Sequence, residues 1–521
     1  MGDDERSAIT RRAGLVAAGT LTSRVLGMVR DAVIAATFAV TATDAFWLAF
    51  TIPNALRGLL GEGAVSGAFV PVLTDVRQRE GEPAAREFYA RLSGRMIAVL
   101  VVISASGVLL APWLVRMYAS GFGDDPELFD MTVDLTRVVF PYIALMGIAA
   151  LLTGALHASR RFAAPAFAPI GLNVALIVAA LAFPSVVERW GMPGVMALAF
   201  GALVGGVIHI ALQVPSARAI GMLSWPRWKR DPRVRRAVLL LMPLLVGLGV
   251  YQLNIIASRQ LASYLPRGSI SWLFYGQRLV EIPQGMFAIA IGSAALPTLA
   301  QMQSRGEVEE AKGVFRFGLR LTLFVAIPAS VALVVLAEPT VAAVFGRGQF
   351  DATSVQQTAF SLVFLAAGVW AVAAVRTIVP MFHALGDTRT PVIASAVNLI
   401  VFFGVGLATM ERLQHAGLAL GISAAAYVQL LVLLALLRRK VGRLGLRSVV
   451  GSFVRSVTAA GLMGWALWLA LGTLGLSGGG SLRNVALFGG LVVAGAILYL
   501  VLAALLRSPE LGELRAAIRR R

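Results

Sequence analysis

The chain contains no cysteine. Disulfides, thiolate metal sites and cysteine nucleophiles are therefore excluded outright. Charge is scarce too: 14% of the 521 residues are Asp, Glu, Lys or Arg, against about 25% in an ordinary soluble chain. The few histidines, His157, His209, His383 and His415, are scattered without metal-ligand spacing and read as packing or helix-end residues. What is abundant is apolar side chain, 58% of the total, gathered in long runs that recur to the last residues. Such runs are the mark of helices that span a bilayer, where each backbone polar group must be satisfied within its own segment. The first run, about 13–40, carries Arg24 and Arg30 and has no small-residue cleavage site after a short core. It reads as a retained first span and not as a signal peptide.

The formal net charge is +19, which in a soluble protein would point to nucleic acid. Its distribution supplies a different reason. About fourteen apolar spans can be laid along the chain, and the loops between them alternate in basicity. One set holds Arg77, Arg79 and Arg86, then Arg160 and Arg161, the Arg218–Arg236 stretch, and Arg438, Arg439 and Lys440. The other set holds single arginines, Arg137, Arg189, Arg267, Arg347, Arg412 and Arg483. Basic loops stay in the cytoplasm, so both termini are expected there and no nucleic-acid partner is needed. The basic loop from Arg227 to Arg236 reads as a topology anchor on anionic lipid.

An internal duplication is visible. His157-Ala158, Pro165 and Asn173 match His383-Ala384, Pro391 and Asn398, and Ile52-Pro53 with Pro71 matches Ile282-Pro283 with Pro297. The copies lie an even number of spans apart and so share one membrane orientation, with a substrate site expected between the halves. The expected fold is an all-α polytopic membrane protein: two parallel six-helix repeats over 1–218 and 219–440, then two further helices and a basic tail over 441–521. In the second span Pro53, Gly58, Gly61 and Gly63 fall within eleven residues, with Gly27 earlier in the first span. These are hinge candidates, because irregular backbone at membrane depth belongs beside a cavity.

The spans also hold charges that lipid would not tolerate. Arg24, Arg30 and Asp31 lie in the first; Asp44, Arg57 and Glu62 in the second; Arg278 and Glu281, three apart and so on one helix face, in the eighth. Arg259 and Arg376 fall inside other spans. A charge at the bilayer centre costs roughly 2.5–3.5 kcal/mol, so these groups must face a polar interior. Arginine binds phosphate bidentately and keeps its proton, which points to a ligand with a large anionic headgroup. Internal salt bridges, Arg24–Asp31, Arg57–Glu62 and Arg278–Glu281, are the competing account.

Ser23–Asp31, Pro53-Asn54 with Arg57, Glu62-Gly63-Ala64 and Val70-Pro71, Phe162 with Pro165–Pro169, Gln277-Arg278 with Glu281 and Pro283, and Gly386–Pro391 together resemble the MurJ/MviN lipid II flippases of the MOP exporter superfamily. The motifs run in family order over most of the chain. The resemblance implies a transporter and not an enzyme, working without a cofactor in the bacterial cytoplasmic (inner) membrane. Its substrate would be lipid II, the undecaprenyl-pyrophosphate-linked peptidoglycan precursor, moved outward by alternating access for cell-wall synthesis, with cell-wall synthesis proteins as candidate partners. It also implies that Arg24, Arg30, Arg57 and Arg278 contact substrate, that Asp44 and Glu62 support them, and that the final two helices form a groove for the lipid tail. Two departures stand out: Gln277 replaces the acid common before Arg278, and the spans where some relatives bind sodium through carboxylates hold Asn254 and Asn398. A cation-coupled drug or polysaccharide-lipid exporter of the same superfamily is the rival reading, and would favour unpaired carboxylates over arginines.

Overall fold

Long apolar runs with alanine and leucine at high frequency have little choice but helix, since strand edges and loops would leave backbone groups unpaired in lipid. The computed structural model describes residues 3–59, 65–229, 231–284, 308–474 and 481–513, and among these every regular element is helical. Packing divides them into two units, Met1–Arg267 and Gly268–Arg521. This boundary lies one long helix beyond the repeat junction expected at 218/219, because the helix Pro232–Ser263 packs on the first unit.

The first unit contains α1 (Asp3–Thr37), α2 (Val40–Leu59), α3 (Val65–Leu109), α4 (Ala111–Tyr118), α5 (Pro126–Val139), α6 (Tyr142–Ala158), α7 (Ala163–Ala182), α8 (Pro184–Arg189), α9 (Met196–Ala219) and α10 (Pro232–Ser263). Here α7 lies between α1 and α9, α6 packs on α3 and α9, and α2 packs on α5. Helix starts are marked by side-chain caps: Asp125 Oδ1 accepts from the Leu128 amide at 3.3 Å, and Asp231 Oδ1 from the Arg233 amide at 2.8 Å. α5 and α6 meet at Phe140-Pro141 and together make one candidate span, Pro126–Ala158.

α3 is helical on both sides of Gly81, which has φ 87° and ψ 177°, a backbone conformation open in practice to glycine alone. On a straight helix Phe69 and Phe88 would stand about 28 Å apart. Their ring centroids are 5.9 Å apart, so the chain doubles back at Gly81 and α3 is a helical hairpin. Its two arms bury Phe69, Val72 and Leu73 against Phe88, Tyr89 and Leu92. Arg77 on one arm pairs with Glu82 on the other side of the turn, 3.0 Å away.

The second unit contains α11 (Ser269–Pro283), α12 (Val308–Val335), α13 (Ala337–Phe345), α14 (Ala352–Ala367), α15 (Val369–Ala384), α16 (Arg389–Leu413), α17 (His415–Val441), α18 (Arg447–Leu474) and α19 (Leu482–Leu505). Its core runs between α12, α15, α17 and α18, through Phe315, Leu323, Ile378 and Phe382. The two C-terminal helices are fastened to that core. The Tyr499 hydroxyl donates to the Phe324 carbonyl at 2.7 Å, and the fully buried Glu510 accepts from Ser452 at 2.8 Å and faces Arg320 at 3.5 Å.

Among the described residues nine helices are long and apolar enough to cross a membrane, or ten if α14 and α15, bent by 42°, form one broken span. That is fewer than the sequence reading of about fourteen. α1 and α2 fall short because Arg24, Arg30 and Asp31 in one, and Asp44, Asn54 and Arg57 in the other, lower their hydropathy. α10 and α11 are described in part. Of the helices long enough to span, α1 and α2 miss the test and carry unusual charges.

Candidate cationic site

Arg30 and Asp31 are buried, with side-chain exposures of 9% and 2%. The Arg30 guanidinium folds back along α1 and donates twice to Asp31 Oδ1, at 2.6 and 2.8 Å. Its remaining arm donates to Asn173 Oδ1 of α7 at 3.0 Å, and Asn173 Nδ2 in turn donates to the Ser23 carbonyl at 3.0 Å. α1 can reach α7 because small residues face it: a Cβ added at Gly19 would stand 2.8 Å from the Ala166 carbonyl oxygen. Gly27 faces Asn173 across the same seam, within an unbroken α1.

Arg24 is exposed. Six residues of helix turn through about 600°, which leaves its side chain roughly 120° from that of Arg30, so one face cannot carry both. The ion pair expected between Arg24 and Asp31 is not formed, because the two lie about 10 Å apart along the helix axis; the adjacent Arg30 takes that carboxylate.

In α2, Asp44 is buried and Arg57 half-buried, with Arg57 Nε donating to Asn54 Oδ1 at 2.9 Å. Arg30 and Arg57 both lie within electrostatic reach of the buried Tyr142 hydroxyl, and Arg57 also within reach of His209. The first unit therefore gathers two of the four candidate arginines around Tyr142. Helix α2 continues through Pro53 to Leu59, and Gly58 faces α10, where a Cβ would come 2.9 Å from Gln252 Nε2. Gly61, Glu62 and Gly63 lie outside the described residues, and so does any Arg57–Glu62 pair.

The fourth arginine sits in the second unit. Arg278 Nη1 donates to Glu281 Oε2 at 2.8 Å, and its guanidinium stands over the Phe274 ring, 4.9 Å from the centroid. The pair is not sealed: the side chains are 33% and 54% exposed. α11 is held in place from its other face, where Tyr275 packs on Phe345 and Phe350 and Ser361 Oγ donates to the Trp272 carbonyl at 3.4 Å. Arg376 of α15 donates to the carbonyl of Gln284, the residue that follows α11, at 3.5 Å. Buried Arg259 stands in α10.

Four partners were not read from the sequence: Asn173, Asn54, Phe274 and Gln284. Phe274 and Asn54 precede their arginines by four and three residues and share a helix face with them, so spacing could have found both. Asn173 is 143 residues from Arg30, beyond any local pattern.

Comparison with known proteins decides the family. A family model described as lipid II flippase MurJ matches residues 34–478. The chain belongs to the MurJ lipid II flippase family. It is 35% identical over 465 residues to the lipid II flippase MurJ of Burkholderia cenocepacia, covering 87% of this chain and 89% of that one. It is 33% identical over 518 residues to the probable lipid II flippase MurJ of Vibrio cholerae, covering 96% and 97%. Among solved structures, a lipid II flippase MurJ in an inward closed conformation matches with a TM-score of 0.77 at 22% identity, over 94% of this chain and 98% of that one. An inward-facing multidrug resistance MATE transporter of the MOP superfamily matches with a TM-score of 0.69 at 14% identity, over 82% and 96%. At those identities the two structures speak for the fold: a MurJ/MATE-like helical membrane protein. The family is one of transporters, not enzymes.

Proposed function

We propose that this chain moves lipid II from the inner to the outer leaflet of the bacterial cytoplasmic membrane by alternating access. Beyond family membership, the observation that carries the reading is the accessibility of its arginines. Arg24 is exposed, and Arg278 is a third exposed beside a glutamate that is more exposed still. A guanidinium within reach of solvent can offer its planar fork to a pyrophosphate. Arg24, Arg57 and Arg278, set on helices 1, 2 and 8 of an about fourteen-span arrangement with both termini cytoplasmic, are the substrate contacts in this proposal, with Arg30 beside them. Arg30 acts with them through Tyr142, and Asp31, Asp44, Glu62 and Glu281 tune the field.

Moving about two negative charges outward across a membrane with an inside-negative potential of 100 mV would release about 4–5 kcal/mol. That gradient alone can drive the step. The test is a headgroup-accessibility assay in proteoliposomes loaded with lipid II. Arg57→Ala and Arg278→Ala should stop translocation in protein that still folds, and Arg→Lys should rescue in part, since an ammonium is a point charge. Full activity of both lysine variants would refute bidentate pyrophosphate binding. Sodium- or proton-driven drug efflux without lipid II translocation would favour the MATE-like alternative, whose fold this chain shares.

A further inference from the structure

The segment between α9 and α10 is a built surface. The Arg227 amide donates to the Ala90 carbonyl at 2.8 Å, and Arg95 Nη2 donates to the Lys229 carbonyl at 2.9 Å. Gly94 of α3 leaves the room this needs: a Cβ there would stand 2.4 Å from the Arg227 carbonyl oxygen. Met222 is fully buried beneath the segment. The nearby acids are engaged by other cations. Asp231 binds Arg91 and Arg233, Glu80 binds Arg233, and Asp75 binds Arg79 and Arg236. Among the described residues Arg227, Lys229 and Arg235 form no ion pair.

This surplus of positive charge borders an apolar groove. Pro232, Arg235, Arg236, Leu239 and Leu240 line a space of about 480 Å³. The arginines lie at its end nearer the start of α10, and the leucines follow one helical turn, about 5–6 Å, further along. Leu239 and Leu240 are 60% and 44% exposed. In the segment that leads into α10, Trp225 and Trp228 are 90% and 65% exposed, as tryptophan is at the boundary between headgroups and acyl chains.

We propose that this groove is a binding site for one anionic phospholipid of the leaflet that the segment faces, distinct from the transport site. The headgroup phosphate sits on Arg235 and Arg236, and an acyl chain lies along Leu239 and Leu240. Trp225 and Trp228 set the depth. A soluble anion would leave the leucines unused. A zwitterionic lipid would bring its own cation among Arg227, Lys229 and Arg235. The lipid so held pins the start of α10 and the end of the α3 hairpin at one depth in the membrane.

The full chain in non-ionic detergent, titrated with phosphatidylglycerol or with phosphatidylcholine of the same acyl chains and followed by native mass spectrometry, tests this. One phosphatidylglycerol should bind more tightly than phosphatidylcholine. Arg235→Gln with Arg236→Gln should erase the preference, at roughly fivefold per arginine lost. Arg443→Gln, an exposed arginine in another loop, should leave it intact, and lipid-free thermal unfolding of the double variant should match that of the native chain. Equal binding of the two lipids, or a preference that survives the double substitution, would overturn the proposal. So would displacement of phosphatidylglycerol by an equal concentration of lipid II, which would make the groove part of the transport path.

Discussion

Removing the guanidinium at position 30 and at position 278 should have opposite consequences for folding and transport. Arg30 and Asp31 are 9% and 2% exposed, so Arg30→Gln strands a buried carboxylate, a loss of about 3–5 kcal/mol. Asn173 also loses a charged donor, worth about 1.5–3 kcal/mol where the bond is charge-assisted. Such a loss is a large share of the stability of any single fold unit. Arg30→Gln combined with Asp31→Asn removes the stranded charge and should recover most of it. At position 278 the partners are 33% and 54% exposed, an interaction worth about 0–1 kcal/mol, so Arg278→Gln should unfold close to the native temperature. Thermal unfolding in detergent and lipid II accessibility in proteoliposomes, measured on the same preparations, separate the two. Arg278→Gln should be stable and inactive, and adding Glu281→Gln should not revive it. The Arg30/Asp31 double variant should be stable, and its transport activity then reports whether Arg30 touches substrate or only joins α1 to α7. A strongly destabilised Arg278→Gln, or native transport by Arg278→Gln with Glu281→Gln, would refute the reasoning.

Gly81→Ala forces a side chain onto a glycine-only backbone and should cost about 1–3 kcal/mol, read as a lower unfolding temperature. Gly94→Ala should also destabilise, by about 1–3 kcal/mol, because its Cβ meets the Arg227 backbone, whereas Gly27→Ala has room and should be silent in the same measurement. Burial pushes the carboxyls of Asp231 and Asp387 up, but hydrogen bonds and charge from Arg233 and Arg91, and from Lys440 and Thr390, more than offset it and hold both below the usual carboxylate range. Depressed carboxyls stabilise above their ordinary value, about 4, and the gain is lost as pH falls through the folded value, so unfolding temperature should drop on acidification below that point and Asp387→Asn should flatten the drop. Single cysteines at Gly123 and Gly348 should label from outside the cell and one at Lys229 should not; outside labelling at Lys229 would overturn the expected orientation.

Much of the site was legible because lipid makes charge conspicuous. Arg30, Asp31, Arg57 and Arg278 stand out in apolar runs, and the structure places each on a helix at that position. The doubling back near Gly81 was legible as a charged loop between apolar runs. Partner choice was not. Arg24 shares helical phase with Asp31 but stands seven residues, about 10 Å of helix axis, before it, and the adjacent Arg30 takes the carboxylate. The Asn173 contact depends on how α1 and α7 are rotated about their axes, which a single sequence does not encode in any short pattern. α2 stays helical through Pro53 to Leu59, and the rest of the stretch expected to break, beside Glu62, lies outside the described residues.

The link between Arg30 and Asn173 also sets a schedule. A ribosome that has just added Arg30 must add 143 residues before Asn173 exists, which at 5–20 residues per second takes roughly 7–30 seconds. Through that interval the first span carries Arg24, Arg30 and Asp31 with its neighbour unmade. Its stable placement in the membrane is therefore a late event, completed only when the seventh helix arrives to complete the pairing.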